Sequence, residues 1–139
     1  MNKSKYLIFA LFLMGGNSNL NATNLLAESL VGNQSFNIYI KGQDIFGNYT
    51  LDKKIYLPAA GQSDLTDIGY TNSADIWFKT GKPEQLIKSA KIIRDKHGYY
   101  TITDQQTGAT ICTSGLNAAP GLLTLNFDGN NITCIYSAA

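Results

Sequence analysis

One histidine, His97, and ten carboxylates are the side chains from which acid–base catalysis would have to be assembled. A histidine serving as general base needs a nucleophile within hydrogen-bond reach and a carboxylate to fix its tautomer. Asp95 stands two residues before His97, but Asp95-Lys96-His97-Gly98 reads as a tight turn, in which an exposed histidine needs no catalytic explanation. No GxSxG, HExxH or phosphate-loop pattern occurs. Paired carboxylates perform glycoside hydrolysis, yet Asp44, Asp64, Asp67, Asp95, Asp104 and Asp128 fall in turn-like stretches, where aspartate bonds nearby backbone N–H groups. Asp64, Asp67 and Asp75 would offer hard oxygen ligands to Ca²⁺, at a spacing that matches no EF-hand loop. The residues assign no catalytic group, no metal ligand set and no cofactor.

Two cysteines are present, Cys112 and Cys134. Their spacing is not the CxxC of a redox pair, and one histidine is too few for a common zinc site, so a disulfide is the expected chemistry. Closing that loop stabilises a fold by roughly 3 kcal/mol in the chain-entropy model. Aromatic residues give the remaining hint. Tyr39, Tyr56, Trp77 and Tyr99 each fall opposite the inward phase of their predicted strands. Amphipathic rings on an outward sheet face recur at protein interfaces and sugar platforms. The plainer explanation is that tyrosine is a good strand former. Trp77 would become an inward residue if its short strand were read one position out of phase. Asn21, Asn33, Asn48 and Asn131 head glycosylation triplets, which matter only in a eukaryotic secretory pathway.

These residues must be positioned by strands. Phe36, Ile38 and Ile40 alternate with Asn37, Tyr39 and Lys41, and Leu51, Ile55 and Leu57 share a face in 49–57. Lys53 interrupts that face, which suggests a bulge or an edge strand. Pro58 ends the strand, and 58–74 reads as a long surface loop before the strand DIWFK. Residues 23–33 read as a lead-in with one helical turn. For 83–97 two readings compete: a helix opened by Pro83, or a strand 90–95 turning through Lys96-His97-Gly98 into 99–103. The hairpin is favoured, with Gly98 at positive φ. Strands at 109–113, 121–127 and 130–136 follow. Asp128-Gly129 signals a two-residue type I′ turn, which would set Phe127 opposite Asn130 and Leu123 opposite Cys134. Leu123, Leu125, Phe127, Ile132, Cys134 and Tyr136 would then share the core face. Seven or eight short strands with regular turns describe an all-β antiparallel sandwich or small barrel; the alternative is α+β with a helix at 83–97.

Residues 1–22 have the organisation of a secretory signal, with Lys3 and Lys5, the apolar run Tyr6–Met14 and a polar stretch ending at Ala22. That run is about half the roughly 20 residues of a spanning helix, so no membrane span is expected in the remaining chain. Residues 23–139 then form a single β-rich domain in a periplasmic or extracellular setting. Charge agrees with neither a nucleic-acid binder nor an acidic tail: eleven basic and ten acidic residues become nine and ten once Lys3 and Lys5 are removed. The expected function is an exported, non-catalytic binding module for a protein or a glycan. The alternatives are a protein inhibitor of a secreted or host enzyme, acting through 58–74, and a small hydrolase using His97.

Overall fold

Two-residue alternation puts nearly all of the chain into extended segments. The computed structural model describes residues 23–69, 71–113 and 121–138. Ten strands occur there: β1 (Thr23–Ser29), β2 (Phe36–Gln43), β3 (Tyr49–Leu57), β4 (Thr66–Asp67), β5 (Ser73–Thr80), β6 (Gln85–Arg94), β7 (Tyr100–Asp104), β8 (Thr110–Thr113), β9 (Gly121–Phe127) and β10 (Ile132–Ala138). They form a six-stranded sheet in the order β3-β2-β5-β6-β7-β8 and a four-stranded sheet in the order β10-β9-β1-β4. Every pairing is antiparallel except β1 with β9. The architecture is the all-β sandwich expected from the alternation, and the barrel does not close. The proposed leader, 1–22, lies outside the described residues.

The inward faces meet in one apolar cluster. At its centre Phe127 of the small sheet sits between Phe36 and Phe78 of the large one, with ring centroids at 5.0 and 4.5 Å. Such pairs add about 0.5–1.5 kcal/mol each beyond area burial. Cys112 on β8 is joined to Cys134 on β10, with a Cα–Cα distance of 6.0 Å. The disulfide therefore ties the two sheets together along one side of the sandwich.

One expectation fails at the strand level and another holds only in part, which is why the count exceeds seven or eight. Residues 23–33 contain no helical turn; β1 runs through the middle of the small sheet, paired to β9 along all seven of its residues. Its inward positions are Thr23, Leu25, Ala27 and Ser29, and two hydroxyl side chains among the four hid the apolar period. Residues 58–74 are loop at most of their described positions, as expected, but 61–68 run beside β1 and include β4. Their backbone follows β1, with Ser29 N–H donating to Gly61 O, Ser63 N–H to Ala27 O and Ile68 N–H to Thr23 O, each at 2.9 Å. Ile68 is only 1% exposed, and the Tyr100 hydroxyl donates to its carbonyl at 3.1 Å.

The segment 83–97 takes the hairpin form. β6 starts at Gln85, and the chain turns at Lys96–Gly98 with Gly98 at φ +86°. Asp95 and Tyr99 close the loop through an N–H···O bond of 2.9 Å. At the Asp128-Gly129 connection the expectation of a two-residue turn fails: Ile132 pairs with Phe127 and Cys134 with Leu125, leaving a four-residue connection. Of the two central residues only Gly129 takes positive φ, +98°. The Asp128 carboxylate accepts the N–H groups of Asn131 and Asn130 at 2.7 and 2.8 Å, drawing the chain into a wider loop. These bonds hold its carboxyl below the usual range, Asn131 foremost. The register moves by two residues, so every side chain keeps its face.

Lys53 lies opposite Ile40, in the inward phase of β3 at the edge of the large sheet, yet it is exposed, unlike Leu51, Ile55 and Leu57 of the same phase. The irregularity of that pair falls at Gly42/Gln43, away from Lys53. Lys53 lines two grooves at the open side of the sandwich, of ≈ 490 and ≈ 320 Å³. An inward-phase charge in mid-strand is a device against edge-to-edge pairing.

Two outcomes follow from this architecture. Replacing Cys112 and Cys134 together by alanine should lower stability by about 3 kcal/mol in denaturant melts, and mass spectrometry of the unreduced protein should show the cross-link. Lys53→Val should introduce concentration-dependent association, visible by analytical ultracentrifugation; an unchanged sedimentation profile would count against the edge-guard role.

Candidate binding face

β2 and β5 are neighbours at the centre of the large sheet, and their register sets the site. Ile38 pairs with Phe78 and Ile40 with Ile76, all inward. The residues between them face out, with Tyr39 directly beside Trp77. Ile76 and Phe78 are both 0% exposed, which settles the phase of this strand and puts Trp77 on the outer face. Tyr39 is flanked on its other side by Lys54 of β3, and Trp77 by Ser89 of β6. Tyr56 lies one row away, beside Asn37, and is 60% exposed.

The turn between β5 and β6 brings Glu84 over this face. Tyr39 Oη donates to Glu84 Oε1 at 2.5 Å, and Asn37 Nδ2 donates to Oε2 at 2.7 Å. The Tyr39 hydrogen bond, supported by that of Asn37, holds the Glu84 carboxyl below its ordinary range. The same bond, with partial burial, raises the Tyr39 phenol. Lys79 and Lys54 stand over the Tyr39 ring, their Nζ atoms 5.0 and 5.7 Å from its centroid. These contacts are attractive through the ring quadrupole, at about 0.5–1 kcal/mol for an exposed site.

Of the four aromatic residues singled out from the sequence, three share this face. Tyr99 does not: it belongs to the 95–99 loop, where its ring rests near His97 at 5.9 Å between centroids. At roughly 3.3 Å per residue, the step along β6 from Ser89 to Asp95 is about 20 Å. Asn37, Lys54 and Lys79 were legible as outward positions of their strands. Glu84 was not, since the same residue is equally at home in the first turn of a helix and its partners lie 45 and 47 positions away.

The remaining candidates are held apart or used locally. Asp95 Oδ1 accepts the backbone N–H of His97 and of Tyr99 at 2.8 and 2.9 Å, a turn-closing role. Asp67 Oδ1 accepts from Gly69 N–H, whereas Asp75 Oδ1 accepts from Gln105 Nε2 on the outer face of the other sheet. Asp64, Asp67 and Asp75 therefore do not converge. Asp104 pairs with Lys88 at 2.5 Å, and that bond keeps its carboxyl low; the same carboxylate also accepts from Gln106 and Thr107 N–H, closing the turn after β7. Asn33, Asn48 and Asn131 are exposed, and Asn21 lies outside the described residues. No helix among the described residues is long and apolar enough to cross a membrane.

No protein-family model matches the chain, and no curated protein is significantly similar to it.

The Glu84 clamp has a defined pH window. A depressed carboxyl contributes stability above its unfolded value, 4.5, and loses it as pH falls through the lower folded value. A raised phenol contributes below its unfolded value of 10.0 and loses it as pH climbs through the higher folded value. Trp77 is the single tryptophan and reports on this face. Its emission should be flat between those limits and change below pH 4.5, and Glu84→Gln should remove the acid transition. An acid transition of equal size in Glu84→Gln would refute the clamp.

Proposed function

We propose that this protein is an exported, non-catalytic binding module that recognises a protein or a glycan through the outer face of its six-stranded sheet. Export rests on the signal-like organisation of 1–22 and is consistent with the disulfide, which persists in oxidising compartments. The observation that carries the binding reading is the Tyr39–Trp77 pair, two amphipathic rings side by side and half-buried on an outward face. Large aromatic side chains of this kind dominate binding energy where they are found at interfaces. Tyr56 extends the same surface, whereas Tyr99 no longer belongs to it. Inhibition of an enzyme through 58–74 is the weaker reading, because the backbone of 61–68 is committed to β1 and its removal would open the small sheet.

The test is capture of the binding partner by the oxidised protein from its native extract, with chemical cross-linking. Trp77→Ala should weaken capture about tenfold or more, the result of losing about 1.4 kcal/mol or more at an aromatic anchor. Far-ultraviolet circular dichroism must remain that of a β protein in this variant. Undiminished capture by a folded Trp77→Ala protein would remove the outer face from consideration.

A further inference from the structure

The chemistry around the two rings distinguishes between ligand classes. On β2, β3 and β5 the outward positions beside Tyr39 and Trp77 are Asn37, Lys41, Lys54, Asp75 and Lys79; on β6 they are Ser89 and Lys91, with Leu86 beside Lys79 as the exposed aliphatic neighbour. A protein partner would have to bury these charges at the centre of its footprint, where interfaces are depleted of charge and unpaired ions are costly. A sugar ring makes the opposite demand. Its C–H face packs on an aromatic ring, and its hydroxyls both donate to carboxylates and accept from amides and ammonium groups.

The face also contains a prepared acceptor. Tyr39 and Asn37 donate one hydrogen bond to each Glu84 oxygen, and each carboxylate oxygen has a further lone pair. The carboxylate is thus oriented before any ligand arrives, which lowers the ordering cost of binding. Lys54 and Lys79 occupy the Tyr39 ring, leaving the Trp77 ring as the stacking surface. Charge on the face is close to balanced, with Lys41, Lys54, Lys79 and Lys91 set against Asp52, Asp75 and Glu84. A balanced face has little long-range pull on an anion.

We infer that the Trp77–Glu84 surface is a glycan subsite that takes an uncharged pyranose, its ring stacked on Trp77 and two neighbouring hydroxyls donating to Glu84. This rests on the reading of the outer face as the binding surface. Tyr39 and Asn37 act as positioning residues for Glu84.

A glycan array carrying neutral hexoses, N-acetylhexosamines, uronates and sulfated sugars, probed with the oxidised protein, tests this directly. The best ligand is then titrated by calorimetry at low and high salt. A neutral glycan should bind with affinity nearly independent of salt. Trp77→Ala should lose binding, and Glu84→Gln, an exposed change that leaves the core untouched, should lower affinity about tenfold or more, as expected for a hydrogen bond to a charged group. Binding should fall as acid protonates Glu84, and in Tyr39→Phe the midpoint should move up toward 4.5 because the strongest bond to the carboxylate is gone. Binding confined to acidic glycans with a steep salt dependence would overturn the inference, as would neutral-glycan binding unchanged in Glu84→Gln. A blank array together with a protein captured through Trp77 would overturn it while leaving the binding module intact. A blank array and no Trp77-dependent partner would remove both.

Discussion

The contact of Phe127 with Phe36 and Phe78 is the constraint on which the outer surface depends. Phe36 and Phe78 belong to β2 and β5, and fixing them against a ring of the opposite sheet fixes the phase of both strands. Because side chains alternate every residue, a one-residue slip would bury Trp77 and Tyr39 and expose Phe78 and Ile38. Such a slip would take several large apolar side chains out of the core at about 1.5–3 kcal/mol each. The candidate binding face is in that sense the reverse side of the aromatic stack. Its position is enforced by the core and not by any contact among the exposed residues.

A second constraint joins distant parts of the chain. β1 lies between β9 and β4, so the small sheet exists only when the first described strand, the last hairpin and the 58–68 segment come together. A buried polar group marks this junction. Tyr100 bonds the Ile68 carbonyl, and Thr23 bonds both Tyr100 and Tyr136. Burial raises the phenols of Tyr100 and Tyr136. The disulfide braces the opposite side, between β8 and β10. The side left without a covalent brace is the one where Lys53 stands, and an exposed charge there keeps the β3 edge from becoming a template.

The sandwich, its disulfide, the outward phase of Tyr39 and Tyr56 and the positive φ of Gly98 were all legible in the residues themselves. Each follows from a short-range rule: alternation, cysteine arithmetic, or turn chemistry. The Asp128-Gly129 connection shows how far such rules reach. The turn residues were recognised, but the two-residue loop was displaced by the competing bonds of the Asp128 carboxylate, and the faces survived only because the register error was even.

By itself the sequence determined the inward and outward faces of β2, β3, β9 and β10, because period-2 patterning is a local property of the chain, whereas the phase of Trp77 and the inward positions of β1 needed the packed sheets. It also determined that the two cysteines have each other as partners. Only the tertiary structure decided which outward residues are neighbours. The parallel pairing of β1 with β9, the pairing of Thr66–Asp67 with β1, the separation of Tyr99 from the other rings and the arrival of Glu84 at Tyr39 and Asn37 all depend on strand order. Strand order is set by contacts between residues far apart in the chain, and no local periodicity encodes them.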